Sequence, residues 1–432
     1  MFERAKRVIP NGSSSAARLL EPYPFFAHSG SGGTIQDEDG NRYLDCRLGY
    51  GPMLVGHAHP HVVRAVQEAA TSGFVFGAPH RLEAELAERI VAHSRCAERV
   101  GFCSSGTEAT LHALRIARAA TGRPRIAKFE GGYHGIHDGV ALNIHAVGAD
   151  TESGEIERRP ETLGIPTPAS DLTCVLPFND DRAFEIIERH ADELAAVIVE
   201  PMLGVGGALP AASGFLERLR TLTAALGIVL IFDEVITGFR LALGGAQETS
   251  GVTPDLVTYG KPVGGGLPIG VVAGTAALMG LLESTGDAHR NRGERVMFGG
   301  TSNGNPLSMA AGLATIEVLE GHGRDGYAAL TAAGDRLRKT VNDAATALGI
   351  AFHMTGQGPV FASHFMRPTA TSPRDLLAED KTLQKEYGLM LLERGVFLNP
   401  THAFLSFAHT SADVDAITDA HVTALTDIAA AT

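Results

Sequence analysis

Several residue types are scarce in this sequence, and their scarcity excludes some classes of protein. The 432 residues include no tryptophan and only four cysteines, which show neither C-x-x-C spacing nor disulfide density: Cys46, Cys96, Cys103 and Cys174. Such cysteine usage indicates a reducing compartment. The longest apolar stretch, residues 269–282, is interrupted by glycines and falls short of the roughly 18 residues that a membrane span requires. The first residues are charged and contain no apolar segment of a signal peptide, so the sequence predicts a soluble, cytoplasmic protein that binds no membrane.

An excess of positive charge is also absent. Aspartate and glutamate number 49 against 36 lysines and arginines, and the formal net charge is -13. This balance argues against a nucleic-acid partner, because such proteins carry a basic surface. It still allows a small anionic cofactor, since backbone amides and a few arginines act locally. The hydrophobic fraction of 44% is ordinary for a globular protein, and the length suggests more than one lobe.

The middle of the chain alternates short apolar runs with longer helical patterns. Apolar runs end at Cys103, Phe129, Val199 and Phe232, a weaker one covers 256–259, and helical patterns cover 107–120, 180–194 and 214–226. This alternation predicts βαβ units and an α/β fold with a mostly parallel sheet. Ligands of such sheets bind beyond the carboxyl ends of the strands, so the residues that follow each run are candidate site residues.

Both ends of the chain read differently from the middle. Asp39-Gly40 lies between two alternating runs and predicts a hairpin, while the last hundred residues hold two long helical patterns and a short strand near 395–398. We therefore predict a small α+β domain built from residues 1–50 and 311–432, around a large domain of residues 51–310. Residues 144–170 are rich in glycine, proline and charge, and we interpret them as a lid over the site.

The first candidate site follows the run that ends at Cys103. Residues 104–108 read SSGTE and precede a helical pattern. A helix N-terminus with small residues offers free N–H groups to a phosphate. A simple N-cap is the alternative interpretation, because serine and threonine are preferred there in any case.

Two further candidates follow later strands. Asp233 ends a buried run, where a carboxylate needs a partner such as a protonated pyridine nitrogen or, alternatively, an arginine such as Arg240. Lys261 is the only one of six lysines that follows a strand end and precedes a glycine-rich turn. Burial there would lower its pKa, as an imine-forming lysine requires, although an exposed loop lysine is the alternative. The glycines lack the G-x-G-x-x-G spacing of a dinucleotide site.

These motifs, with several others in the same order, carry a family resemblance. The matching segments are 51–60 (GPMLVGHAHP), 105–110 (SGTEAT), 129–135 (FEGGYHG), 200–201 (EP), 233–240 (DEVITGFR), Lys261 and 300–306 (GTSNGNP). The chain resembles the class III aminotransferases of pyridoxal 5′-phosphate (PLP) fold type I, and most closely their glutamate-1-semialdehyde aminomutase branch. The resemblance implies a large domain with a mostly parallel seven-stranded sheet, a smaller α+β domain from both termini, and a PLP cofactor.

The resemblance also implies roles for individual residues. Lys261 would bind PLP as a Schiff base and Asp233 would pair with the pyridine nitrogen, both as catalytic residues. The other implied cofactor contacts are Ser105, Gly106 and Thr107 at the phosphate, Tyr133 and Val235 on the two ring faces, Glu200 nearby, and Gly300 and Thr301 at the phosphate of a neighbouring subunit. The last pair implies a homodimer with shared active sites. Core packing is the alternative for Tyr133 and Val235. No metal is expected, since His134 and His137 lack a third ligand.

The substrate side resembles the branch only in part. Arg18 would bind a substrate carboxylate, unless it is a surface arginine, and Tyr50 would line the pocket. The aminomutases carry a serine-bearing turn where residues 143–148 stand here, and a glutamate where 399–404 have no acid. We therefore predict an aminotransferase that moves an amino group between a carboxylate-bearing amino acid, including β- or aryl-amino acids, and a keto acid. The alternatives are the aminomutase and, more distantly, a nicotinamide-dependent oxidoreductase or a non-catalytic binding protein.

Overall fold

The computed structural model describes residues 1–22, 25–367 and 369–431. Its strands are β1 (Ala27–Ser31), β2 (Thr34–Asp37), β3 (Arg42–Asp45), β4 (Arg99–Cys103), β5 (Arg125–Phe129), β6 (Thr173–Leu176), β7 (Leu194–Val199), β8 (Met202–Leu203), β9 (Leu209–Pro210), β10 (Val229–Asp233), β11 (Leu256–Tyr259), β12 (Gly270–Gly274), β13 (His353–Gln357), β14 (Val360–His364), β15 (Val396–Phe397) and β16 (Ala403–Phe404). Its helices are α1 (Phe2–Lys6), α2 (Pro60–Ser72), α3 (Arg81–His93), α4 (Gly106–Thr121), α5 (Thr167–Ser170), α6 (Arg182–Arg189), α7 (Phe215–Leu226), α8 (Gly245–Ser250), α9 (Ala276–Met279), α10 (Pro306–Ala347), α11 (Lys381–Glu393) and α12 (Ser411–Ala431).

A seven-stranded sheet forms the centre of the molecule, in the order β4-β12-β11-β10-β7-β5-β6. The pairs from β11 to β6 are parallel, whereas β12 runs antiparallel to both of its neighbours. This confirms the α/β fold with a mostly parallel seven-stranded sheet. All five predicted apolar runs lie in this sheet, as β4, β5, β7, β10 and β11, and the structure adds β6 and β12.

Apolar residues cover both faces of this sheet. Ile198 and Ile231 belong to a core that includes side chains of α4, whereas Val199 and Phe232, next along the same strands, belong to the larger core on the other face. Successive side chains of a strand point to opposite faces, so a strand covered on both sides needs apolar residues at every position. This requirement explains the uninterrupted apolar runs.

The smaller sheet joins the two ends of the chain. Its order is β1-β2-β3-β15, and β15 pairs in parallel with β3 through Val396 and Leu44. The predicted hairpin is present between β2 and β3, with Gly40 at a φ of 90° in the turn. A three-stranded sheet, β13-β14-β16, lies further along the C-terminal part. The small α+β domain from both termini is therefore present.

The predicted domain boundaries stay a proposal. Residue 310 lies inside the first half of α10, which is broken at Gly323 by a left-handed φ of 57°. A boundary at Gly323 would leave both halves of that helix intact.

One local prediction is corrected by the structure. The helix predicted over 180–194 ends at Arg189, because the chain turns and Leu194 already begins β7. The glycine-interrupted apolar stretch 269–282 contains β12 and α9. Across the described ranges, no helix combines the length and the hydropathy of a membrane span. Residues 144–170 contain α5 and an isolated bridge between Asp150 and Ile156.

Candidate active site

Four neighbouring parallel strands deliver four predicted site residues to one edge of the sheet. Asp233 ends β10, and Glu200 follows β7 directly. Lys261 and Tyr133 follow β11 and β5, which flank that pair in the sheet. The carboxyl ends of adjacent parallel strands meet at one crevice, which explains how residues 128 positions apart in sequence lie close together. Asp233 and Glu200 are buried, whereas 36% of Tyr133 is exposed.

Asp233 is held by three hydrogen-bond donors. Its Oδ1 accepts from the Thr258 hydroxyl at 3.0 Å and from the Val235 amide at 3.2 Å. Its Oδ2 lies 2.8 Å from Nδ1 of His134, a residue that is only 1% exposed. Burial lowers the pKa of His134, so the imidazole is neutral and its one ring proton is donated to the carboxylate. The carboxylate is thereby fixed in orientation at 3% exposure.

The alternative that Arg240 pairs with Asp233 is wrong. The Arg240 guanidinium donates through Nε to the carbonyl of Ile236 at 2.8 Å and through Nη2 to the carbonyl of Gly51. It also lies over the Phe404 ring, with Cζ 4.7 Å from the ring centroid. Arg240 therefore connects the end of the DEVITGFR segment to residue 51. Burial lowers the pKa of Arg240 to about 9.

Lys261 has an unusual backbone and an unpaired side chain. Its φ is 39°, a left-handed value that a residue with a Cβ rarely adopts and that is concentrated at functional sites. Across the described residues, its Nζ forms no hydrogen bond or ion pair. Burial lowers the pKa of Lys261, and the positive charge of Arg240 acts in the same direction. A larger neutral fraction makes the amine a better nucleophile.

Glu200 lies between Lys261 and the loop that carries Tyr133. Its Oε1 accepts from the Tyr133 amide at 2.8 Å and its Oε2 from the Gly204 amide at 3.0 Å. Burial and the Asp233 carboxylate raise the pKa of Glu200, whereas the two amides and Lys261 oppose that rise. Glu200 thus holds the Tyr133 loop in position through its hydrogen bond to the Tyr133 amide.

The predicted phosphate loop is also the N-terminus of a long helix. Ser105 is the N-cap of α4, and its hydroxyl accepts from the Glu108 amide at 3.2 Å. The Glu108 carboxylate accepts from the Ser104 amide at 2.9 Å and from the Ser105 hydroxyl at 3.0 Å, which fixes the start of the helix. In the described part of the chain, the amides of Gly106 and Thr107 have no acceptor. Both the N-cap and the phosphate-loop interpretations are therefore compatible, because the cap leaves two N–H groups free.

Two glycines bring this loop against the rest of the site. A Cβ on Gly106 would lie 3.2 Å from a methyl carbon of Val235, so the loop and the residue predicted to pack on the ring are in close contact. A Cβ on Gly270 of β12 would lie 1.9 Å from the Ser105 carbonyl oxygen. Only glycine at position 270 allows β12 to pass this loop without displacing it.

The predicted substrate residues line a cavity of about 440 Å³ beside the small domain. Arg18 is exposed, and Tyr50, with a φ of 68°, donates its hydroxyl proton to the carbonyl of Ala17. The Tyr50 ring centroid is 5.7 Å from that of His402, which sits in the stretch where no acid is present. Burial and the charges of Lys261 and Arg47 lower the pKa of His402 to about 3, so this histidine is neutral.

The last two predicted cofactor contacts do not lie near this site in the same chain. Gly300 and Thr301 lie in an exposed turn before α10. Their predicted role at a neighbouring subunit stays a prediction.

Sequence reasoning missed three residues of this region: His134 as the partner of Asp233, Arg47, and His402 beside Lys261. His134 entered the sequence analysis only as a histidine without the ligands of a metal site, and its contact across 99 residues leaves no local signal. Arg47 lies before the matching segment 51–60, and only its packing shows that it is buried. The absence of an acid at 399–404 could have drawn attention to His402.

With this geometry in view, relationships to known proteins decide the family. The model of the family described as aminotransferase class III matches residues 15–428. The chain belongs to the class III aminotransferase family. This membership sets aside the nicotinamide-dependent oxidoreductase and the non-catalytic alternatives.

Individual relatives fall in two groups. Glutamate-1-semialdehyde 2,1-aminomutase of Methanothermobacter thermautotrophicus is 43% identical over 424 residues, which cover 97% of this chain and 96% of that protein. An ω-transaminase from Sphaerobacter thermophilus has a similar structure, with a TM-score of 0.93, 38% identity, and coverage of 99% of this chain and 96% of its own. A structure described as a transaminase with PLP bound gives a TM-score of 0.88 at 32% identity, covering 100% and 97%.

The family uses PLP, and the residues of this site fit that cofactor. An unpaired lysine, a buried carboxylate and a helix N-terminus with two free amides suit the aldehyde, the ring nitrogen and the phosphate respectively. The assignment of each residue to each part of the cofactor is a proposal.

Proposed function

We propose that this enzyme transfers amino groups with PLP held as a Schiff base on Lys261. The observation that supports this most is the meeting of Lys261, Asp233 and Glu200 at one sheet edge beside the 105–107 loop. In this proposal Ser105, Gly106 and Thr107 bind the phosphate, and Tyr133 and Val235 enclose the ring. Glu200 anchors the Tyr133 loop through its amide. Arg18 and Tyr50 belong to the substrate side.

When bound, PLP supplies an electron sink that stabilises negative charge on the substrate carbon. Asp233, whose carboxylate is oriented by three donors, would pair with the ring nitrogen and hold a proton there. Lys261 would accept a proton from the substrate carbon at Nζ and later return it, as general base and then general acid. The lowered pKa of Lys261 matches this double role.

The amino group can move by two routes. The sequence analysis put transfer from a carboxylate-bearing amino acid to a keto acid first, by a ping-pong mechanism, and the ω-transaminase similarity supports that route. The intramolecular route of a glutamate-1-semialdehyde 2,1-aminomutase was its alternative. The named relatives favour this alternative, because proteins of that name are 39–43% identical over more than nine-tenths of the chain.

Two measurements test the proposal in order. The purified protein should absorb as a Schiff base and lose that absorbance with borohydride, and Lys261→Ala should abolish both the borohydride-stable attachment and turnover. Lys339→Ala, an exposed lysine of α10 paired with Asp343, serves as the control and should behave as wild type. A Lys261→Ala protein that turned over an amino donor at the wild-type rate would contradict the proposal.

The two routes are then separated by the need for an acceptor. Isomerisation of glutamate 1-semialdehyde without added keto acid would establish the aminomutase. Strict dependence of donor consumption on pyruvate or 2-oxoglutarate would establish the aminotransferase.

We also propose a homodimer in which Gly300 and Thr301 complete the neighbour's phosphate site. Beside their turn lies an apolar surface: Phe74 is 61% exposed and Met297 76%, and Asn305 donates to the Phe74 carbonyl at 3.0 Å. Exposed apolar patches of this kind mark interaction sites. A cytoplasmic location is proposed as well, since all four cysteines are buried free thiols, as suits a reducing compartment.

A further inference from the structure

Arg47 is a buried arginine held between two aromatic rings. Only 8% of the residue is exposed. Its Cζ lies 4.9 Å from the centroid of the Tyr50 ring and 5.0 Å from that of the Phe397 ring. Its Nη2 donates to the carbonyl of Ala17 at 3.1 Å. A guanidinium stacked in this way is fixed in position, which prepares its fork of donors for a planar acceptor.

This guanidinium lacks an anionic partner. Among the residues that the structure describes, Arg47 forms no salt bridge, and its buried Nε has no hydrogen-bond acceptor. Asp45 is near but already engaged: its Oδ1 accepts from the amides of Arg47 and Leu48 at 2.8 Å, and its Oδ2 lies 2.7 Å from His57. Buried charges are normally paired, so an unpaired one next to a cavity indicates an anionic ligand.

Arg47 faces space on two sides. The cavity of about 440 Å³ is lined by Arg47 together with Arg18 and Tyr50. A second cavity of about 450 Å³ is lined by Arg47 with Asn399 and Thr401. Arg47 thus lies between two parts of the chain. One is the N-terminal segment that carries Arg18, and the other is the C-terminal stretch 399–404, which has no acid.

The same arginine is close to the proposed reaction centre. Tyr50 contacts Arg47 on one side and the ring of His402 on the other. Gly51, the residue after Tyr50, lies against the lysine, since a Cβ at that position would be 3.5 Å from Cδ of Lys261. Tyr50 therefore connects Arg47 to the part of the site that holds Lys261.

We propose that Arg47 binds the carboxylate of the amino substrate, and that the exposed Arg18 closes on the same carboxylate from the open side of the cavity. This inference rests on the proposed function and adds to it a residue that determines specificity. It requires a substrate with one carboxylate, which both routes of amino transfer supply.

The test compares two ligands of nearly equal shape, butanoate and the neutral butanamide, in calorimetric titrations of the holoenzyme. Wild type should bind butanoate at least about tenfold more tightly, since a charge-assisted pair contributes that much or more. Arg47→Met should weaken butanoate binding by about 10- to 100-fold and leave butanamide unchanged. Arg47→Lys should restore part of the loss. The matched control is Arg42→Met, an exposed arginine of β3 that forms no ion pair with any described residue.

Three results would overturn the proposal. These are equal binding of both ligands by wild type, less than about a threefold effect of Arg47→Met on butanoate, or an equal loss for both ligands. The last result would mean that Arg47 only supports the Ala17 turn. Schiff-base absorbance and borohydride bleaching are recorded on the same samples. If both signals are absent while butanoate binding still depends on Arg47, the PLP attachment is refuted and the carboxylate site is not.

Discussion

The hydrogen bond between His134 and Asp233 gives a prediction that depends on geometry alone. Replacing His134 by leucine keeps the volume similar and removes one of the three donors that orient the carboxylate. A hydrogen bond to a charged group contributes about 1.5–3 kcal/mol. If Asp233 must keep this orientation to hold the ring proton, the amino-donor half-reaction should slow by about 10- to 150-fold, since each 1.36 kcal/mol is tenfold in rate.

The assay is single-turnover decay of the Schiff-base absorbance after mixing with excess amino donor. The control is His421→Leu, which removes a different buried histidine, hydrogen-bonded to Tyr387 in the small domain. It should lower stability and leave the half-reaction rate unchanged. A His134→Leu enzyme that retained its cofactor and reacted at the wild-type rate or faster would show that the hydrogen bond does not orient Asp233 for catalysis.

Two further predictions concern packing and pH. Gly270→Ala should weaken PLP binding and lower the melting temperature, because the new Cβ would overlap the Ser105 carbonyl. Cofactor dissociation and thermal unfolding measure the two effects. Gly280→Ala is the control: its new Cβ would meet none of the described residues, so it should change neither quantity. Burial lowers the pKa of His421 to about 3, so between that value and the usual pKa near 6.5 the unfolded chain binds a proton that the folded chain excludes. The free energy of unfolding should therefore fall as the pH drops from about 6.5 towards 4. In urea titrations, the free energy of unfolding of His421→Leu should fall less steeply than that of wild type, by up to about 1.4 kcal/mol per pH unit. An equally steep fall in both proteins would contradict this.

Much of the fold was predictable because its central strands must be apolar at every position. The run 228–232 predicted β10 for this reason, whereas β12, with glycines at both ends, carried no such pattern. Gly270 meets a steric requirement of the Ser105 loop, which lies far away in sequence. A local pattern does not record that kind of constraint.

The residues of the candidate site were likewise predictable only in part. Lys261 and Asp233 were predictable because the ends of parallel strands are the expected place for reactive groups. The contacts of Asp233 with His134, and of Arg47 with Tyr50 and Phe397, depend on how distant segments pack. Arg240 shows the converse, since its sequence proximity to Asp233 suggested an ion pair that the fold does not form.

The pairing of β15 with β3 has a consequence for how the chain reaches this fold during synthesis. Leu44 leaves the ribosome about 350 residues before its partner Val396, a wait of roughly 20 to 70 s at 5–20 residues per second. All strands of the central sheet lie between 99 and 274, so that sheet can form within this interval. The pairing of β15 with β3 can therefore follow the formation of the central sheet, and the edge of β3 stays open to unwanted strand pairing until β15 has been made.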